Sequence, residues 1–147
     1  MKILRPFFWV VAFGLILLGC RKKPSSPLIE SGWVHAEEFE AFYERFHRDS
    51  TFQMDHIVFP LEGIPDNADP AVVAGGTFRW TPETWRMNRP IDLEETGFRR
   101  EIGFLGNDIL TERLVHESGD YAMMRRFARM GEEWYLIYYA GLNAIVE

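Results

Sequence analysis

Cysteine, basic residues and long apolar runs are all scarce in this sequence, and each shortage excludes a class of protein. With one cysteine among 147 residues, no internal disulfide can form. Basic residues number 16 against 22 acidic ones, and the formal net charge of −6 argues against a protein that binds nucleic acid through its phosphates. The apolar run from Phe7 to Leu18 has twelve residues, fewer than the roughly 20 that a helix needs to span a bilayer.

Catalytic and metal-binding motifs are also missing. No serine stands in a Gly-x-Ser-x-Gly segment, so a nucleophile elbow is not predicted. The histidines lack the spacing of zinc ligands, and Asp55 and His56 would point to opposite faces of a strand, so we predict no metal ion and no cofactor. An enzyme with this sequence would need a single acid or base, for which Asp49 and His56 are the weak candidates, followed by Asp108 and Tyr121. We expect Asp49 to cap a turn instead.

What the sequence does contain is apolar and aromatic side chains. Hydrophobic residues make up 47% of the chain and aromatic residues 15%, which predicts a packed globule rich in rings. The length suits one domain of ordinary size.

The first twenty residues have the layout of a targeting segment. Lys2 and Arg5 precede the apolar run, which ends in Leu17-Leu18-Gly19-Cys20. These last four residues resemble the lipobox of bacterial lipoproteins. The resemblance implies a signal peptide over residues 1–19 and a lipid attached to Cys20, so membrane lipid is the first predicted partner.

A tether is predicted to follow the lipid attachment site. Residues 20–32 are rich in Pro, Ser and Gly and have no apolar periodicity, so we place the single domain at residues 33–147. Lys22 stands close to Cys20 where an acid would favour the inner membrane. This resembles lipoproteins sorted to the outer membrane, and it implies an outer-membrane protein facing the periplasm.

An aromatic stripe predicts one long helix between Val34 and Ser50. Phe39, Phe42, Tyr43 and Phe46 follow the i, i+3, i+4, i+7 spacing of a single helical face. We expect this face to pack on the core.

The rest of the chain predicts strands. We assign residues 56–59 to a strand that Pro60 either confines to a sheet edge or terminates, and residues 62–76 to a loop. Residues 77–80 are assigned to a short strand, and the segment after Thr81 to one helical turn carrying Trp85. Four further strands, at residues 98–105, 109–116, 121–130 and 134–140, are separated by turns and form an antiparallel meander. The predicted fold class is α+β, with an N-terminal helix packed on a curved antiparallel sheet.

The last strand predicts that both faces of the sheet are covered. Simple alternation places residues 134, 136 and 138 on one face and residues 135, 137 and 139 on the other, and both sets are apolar. We expect one set to contact the helix. A ligand, the loop at residues 62–76 or a second subunit must cover the other set, and we expect a homodimer.

The motifs of the domain resemble two known groups. The segments Phe39-x-x-Phe42 through Phe46 and Ile57-x-Phe59-Pro60-Leu61 are similar to an uncharacterised family of Gram-negative lipoproteins with a domain of unknown function. The closing hairpin, in which Gly131 leads to Trp134-Tyr135-Leu136, resembles nuclear transport factor 2-like domains. That resemblance implies a cone of curved sheet around a pocket, often paired through the sheet.

Three functions remain open at this level. The first is a non-enzymatic module that binds a small apolar ligand or an envelope protein, with Trp80, Trp85 and Trp134 as candidate pocket or interface residues. The second is a small hydrolase or isomerase of the cone fold that uses an Asp or His base. The third is a self-associating structural component of the envelope.

Overall fold

The computed structural model describes residues 27–145, in which helices cover one face of a six-stranded sheet. The helices are α1 (Pro27–Glu30), α2 (Ala36–Arg48), α3 (Ser50–Asp55), α4 (Pro70–Gly75) and α5 (Leu93–Thr96). The strands are β1 (Ile57–Ile64), β2 (Arg79–Trp80), β3 (Phe98–Leu105), β4 (Ile109–His116), β5 (Tyr121–Met130) and β6 (Glu133–Ala144). The predicted signal peptide and Cys20 lie outside the described residues.

The sheet has the strand order β2-β1-β6-β5-β4-β3. Strands β3 to β6 form the predicted antiparallel meander, and the α+β class is confirmed. The sheet as a whole is mixed, because β1 pairs parallel to β6. The prediction that Pro60 confines its strand to an edge or terminates it is wrong: β1 continues through Pro60 to Ile64 and lies between β2 and β6. Pro60 occupies the stretch between Ile57 and Glu62 where the pairing with β6 shifts register.

Helix α2 packs its aromatic stripe on one face of the sheet, here called the inner face. Phe39 and Phe46 are fully buried and lie 5.3 and 5.6 Å from the ring of Phe127 on β5, measured between ring centroids. Phe39 also meets Trp134 of β6 edge to face at 5.1 Å. The predicted helix is therefore confirmed, and its ring stripe is the centre of the hydrophobic core.

A bulge in β6 overturns the predicted alternation of its side chains. Phe127 pairs with Leu136 but the preceding Arg126 pairs with Tyr138, which leaves Ile137 as an extra residue. Trp134, Leu136 and Tyr139 are therefore the buried side chains, whereas Tyr138 was expected with the first two. The extra residue moves the side chains that follow it to the opposite face, as far as the second register shift, where Met124 pairs with Ala140 but Ala122 pairs with Asn143.

The N-terminal segment and two connections differ from their expected forms. Residues 27–32 were assigned to the tether, yet α1 lies there and its Leu28 is 1% exposed within the core. A second helix, α3, follows α2 directly, and the loop at residues 62–76 contains α4. Between residues 27 and 145, none of the helices combines the length and apolar character that a membrane crossing requires.

Candidate functional site

A cavity of about 770 Å³ opens between α2 and the inner face of the sheet. Its apolar residues come from α1, α2, the segment before α5, α5 itself and β4: Ile29, Ala41, Pro90, Ile91, Leu93 and Leu114. Its polar wall comes from α2, β3 and β4: Glu40, Tyr43, Glu44, His47, Arg48, Arg100 and Glu112. The cavity lining is therefore amphipathic, because it combines aliphatic groups with a cluster of charges.

The glutamine Gln53 fixes the segment that forms part of the apolar wall. Its side-chain nitrogen donates to the carbonyls of Phe46 (2.7 Å) and Asn88 (2.8 Å), and its side-chain oxygen accepts from Trp85 Nε1 (3.0 Å) and the Asn88 N–H (2.8 Å). Gln53 is fully buried, and each of its polar atoms is paired twice. These bonds hold residues 85–88 against α2 and α3, so Pro90 and Ile91 follow at the cavity wall.

A buried carboxylate lies at the polar end of the cavity. Glu112 is 1% exposed, because its place on β4 between Leu110 and Leu114 turns it to the inner face. Its Oε1 accepts from Tyr43 Oη and Arg100 Nε, both at 2.7 Å, and its Oε2 accepts from Arg125 Nη1 at 2.9 Å. The carboxylate is thus fully engaged by groups from α2, β3 and β5.

These contacts set the ionisation of the cluster. Burial alone would raise the pKa of Glu112, but Arg125 and Arg100 outweigh it and hold the pKa below its usual value. Burial raises the pKa of Tyr43, and the negative charge of Glu112 raises it further. At neutral pH the cluster therefore contains an ionised carboxylate and a protonated phenol.

His47 completes the polar wall from α2. Its Nδ1 lies 2.9 Å from the carbonyl oxygen of Tyr43, so Nδ1 carries the proton and donates. Burial lowers the pKa of His47 to about 4, and the charge of Arg125 adds to this effect. The imidazole is therefore neutral at pH 7, with a lone pair on Nε2.

A second cavity of about 520 Å³ lies on the other side of α3 and is lined by two of the predicted tryptophans. Trp80 and Trp85 meet edge to face at 5.9 Å, and Tyr139 contacts both rings. Trp80 Nε1 donates to the Tyr139 carbonyl, and Trp85 Nε1 donates to Gln53. Trp134, the third candidate, is 1% exposed in the core, where its Nε1 donates to Glu38 at 3.1 Å.

The candidate acids and bases lie apart from the large cavity. Asp49 caps α3, because its Oδ1 accepts from the Phe52 N–H at 3.0 Å. His56 ends the same helix, with its ring stacked on Phe52 at 3.8 Å and its Nδ1 2.8 Å from the Phe52 carbonyl. Asp108 and Tyr121 lie at exposed strand ends.

The cavity residues Tyr43, His47, Arg100 and Glu112 were missed as a site. The sequence contained one signal for them: the period-two alternation of β4 and of the strands beside it places Glu112, Arg100 and Arg125 on the same face as Leu110 and Leu114. In the part of the chain that the structure describes, His, Cys, Asp and Glu side chains form no group of three suited to a metal ion.

Comparison with known proteins finds likenesses of fold. No protein-family model matches the chain, and no curated protein matches its sequence. The chain is similar to a cystatin-like protein from Bacteroides caccae, at 19% sequence identity and a TM-score of 0.49 over 69% of this chain and 74% of that one. It is also similar to an NTF2-like protein of unknown function from Pseudomonas putida, at 10% identity and a TM-score of 0.38 over 76% and 87% of the two chains. A third similar structure is the association domain of C. elegans CaMKII, at 9% identity and a TM-score of 0.38 over 80% and 97%.

Proposed function

We propose that this protein is a non-enzymatic binding module that holds a small, mainly apolar ligand in the cavity between α2 and the inner face. The observation that carries the proposal is that aliphatic residues line the cavity together with a polar cluster in which Glu112 is already paired with Arg100 and Arg125. Ligand sites are typically concave and mostly apolar, with a few fixed polar groups.

The chemistry of the polar wall supports binding over catalysis. A general acid or base works best with a pKa near the operating pH. Here Glu112 has a lowered pKa, Tyr43 has a raised one, and the pKa of His47 is about 4. None of these three is poised to exchange a proton at pH 7.

Benzene is a suitable first probe, because it has no polar head and enters apolar cavities. With the full chain in lipid nanodiscs, we expect benzene to shift the methyl resonances of Ile91, Leu93 and Leu114. Ala41→Phe should fill the cavity from the exposed surface of α2. The benzene concentration needed to produce the same methyl shifts should then rise by about tenfold or more. Glu37→Phe, on an exposed position of α2 that does not line the cavity, is the matched control. Equal shifts in both variants would rule out the cavity as the binding site.

The segment before the described residues supports a second part of the proposal, that Cys20 carries a lipid which anchors the module to the outer membrane, facing the periplasm. The support is Leu17-Leu18-Gly19-Cys20 after an apolar run. We expect Cys20→Ser to move the protein from the membrane fraction to the soluble fraction or to leave its signal peptide uncleaved. A variant that stays in the membrane with an unchanged N-terminal mass would contradict the lipid anchor.

Self-association is a second candidate function. It is favoured by the outer face of the sheet, which is the face opposite the one on which α2 packs. Leu105, Ile109, Thr111, Arg126 and Ile137 line a shallow depression of about 420 Å³ on that face. The loop at residues 62–76, one of the three possible covers, reaches only the far end of this face, where Val73 of α4 lines a hollow with Met124 and Ala140. A second copy of the chain, packed sheet to sheet, would cover what remains.

A further inference from the structure

The polar end of the large cavity holds two buried atoms that need hydrogen-bond partners. Among residues 27–145, no group is placed to bond Nε2 of His47 or Nη2 of Arg100. We call these two nitrogens the open atoms. Buried polar atoms in native proteins are nearly always hydrogen-bonded, so a ligand or a solvent molecule must supply the missing hydrogen-bond partners of these two nitrogens.

The two open atoms differ in kind. Nδ1 of His47 donates to the Tyr43 carbonyl, which leaves Nε2 of the neutral ring as an acceptor. Nη2 of Arg100 belongs to a guanidinium and is always a donor. A single ligand group that hydrogen-bonds to both open atoms must therefore donate one hydrogen bond and accept another.

The side chain of Tyr43 brings the two groups to one place. The His47 ring lies 4.2 Å from the Tyr43 ring centroid, and the Arg100 guanidinium lies 4.5 Å from the same centroid. Both side chains line the same cavity. Both open atoms therefore belong to side chains that contact the Tyr43 ring and line one cavity, where a single bound ligand can contact both side chains.

The charges around the cavity favour a neutral head group. Glu40, Glu44 and Glu112 supply three negative charges, and Arg48, Arg100 and Arg125 supply three positive ones. Arg48 pairs with Glu44, Arg100 lies 2.7 Å from Glu112 and 3.7 Å from Glu40, and Arg125 lies 2.9 Å from Glu112. A charged ligand would enter this balanced cluster with no counter-charge, and burying an uncompensated charge is costly.

We propose that the ligand of this cavity is an uncharged amphiphile whose head is a hydroxyl group, with its hydrocarbon part against the aliphatic wall. The hydroxyl donates to His47 Nε2 and accepts from Arg100 Nη2, and Ile91, Leu93 and Leu114 contact the hydrocarbon. This inference rests on the proposed binding function and specifies its ligand class.

The test compares three eight-carbon probes that differ only in the head: 1-octanol, octanoate and octylamine. They are added at pH 7 to the full chain in zwitterionic nanodiscs, and free concentrations are compared. We expect half-saturation of the Leu114 methyl shift at an octanol concentration about tenfold below that of the other two probes. We also expect octanol to shift the ¹⁵N resonance of His47 Nε2, because that atom then accepts a hydrogen bond.

A variant of His47 provides a further check. His47→Phe keeps a ring but removes the acceptor, so the preference for octanol should fall by about tenfold while benzene still binds. His116→Phe, at the last residue of β4 and outside the cavity lining, is the control. If His47→Phe does not fold, the three-probe comparison on the unaltered chain decides alone.

The failures of the two proposals have different signatures. Two results would overturn the hydroxyl head: octanoate or octylamine binding as tightly as octanol, or an Nε2 resonance that saturating octanol does not shift. Either result would show that solvent molecules, and not the ligand, hydrogen-bond to the open atoms. If neither benzene nor any of the amphiphiles shifts the cavity methyls, the binding function itself is wrong.

Discussion

Glu112 shows how a charged side chain can be placed in the core of a small domain. Its carboxylate has Tyr43 and Arg100 at 2.7 Å and Arg125 at 2.9 Å, so the cost of removing it from water is offset by three directed bonds. Adjacent residues of a strand point to opposite faces, so Arg99-Arg100 and Arg125-Arg126 each place one guanidinium on either face of the sheet, and the strand register agrees. The burial of Glu112 with the inward Arg125 was not predicted, because an isolated acidic residue in a strand is usually exposed.

Removing this carboxylate should destabilise the fold strongly. In Glu112→Gln the neutral side chain leaves Arg125, which is 2% exposed, without a buried counter-charge. We expect the free energy of unfolding to fall by about 3 to 5 kcal/mol, measured by urea denaturation. Glu101→Gln breaks contacts to Arg99 and Arg113 at a site where the side chains are 40% exposed or more, and it should cost under about 1 kcal/mol. Equal losses of unfolding free energy in the two variants would show that the buried network stabilises the fold no more than the exposed ion pairs of Glu101 do.

At the level of whole elements, the strands were more predictable than the helical connections. The bounds of β3, β4 and β5 agree with the sequence prediction to the residue, because turns containing Gly106, Gly119 and Gly131 end each strand and all three glycines have positive φ. The short helices α3 and α4 are too brief to show apolar periodicity, although Asp49 and Asp69 cap them. The bulge at Ile137 has no sequence signature, so the face of Tyr138 could not be predicted.

Helix α2 should contribute most of its stability through its rings. Phe42 is 9% exposed and contacts Phe39, Phe46, Phe52 and Phe127, each ring centroid within 6 Å. We expect Phe42→Ala to lower the free energy of unfolding by about 3 to 5 kcal/mol. Phe104→Ala, where the ring is 41% exposed, should cost clearly less. A loss under about 1 kcal/mol at Phe42 would mean that α2 does not pack on the sheet in solution.

At the scale of the whole molecule, the two faces of the sheet have different roles. The inner face is completed by α2, by the segment that Gln53 holds and by the large cavity, so its apolar surface is accounted for. On the outer face, Tyr135 and Tyr138 are half-buried and Leu105 is 72% exposed. Sequence patterning predicted that both faces of β6 are apolar. It could not predict what covers the outer face, because that depends on where the loop with α4 lies.

A second copy of the chain is the cover that we expect, and a charge on the outer face should prevent it. A two-fold interface contains the substituted residue of both copies, so Leu105→Lys buries two charges in one interface. Val34→Lys is the matched control, because Val34 is 68% exposed, close to the value for Leu105, and lies before α2, away from the outer face. Sedimentation equilibrium of the full chain in density-matched detergent should show a dimer at tens of micromolar for the unaltered chain and for Val34→Lys, and a monomer for Leu105→Lys. An unaltered chain that sediments as a monomer at this concentration would remove the dimer and leave the outer face to another partner.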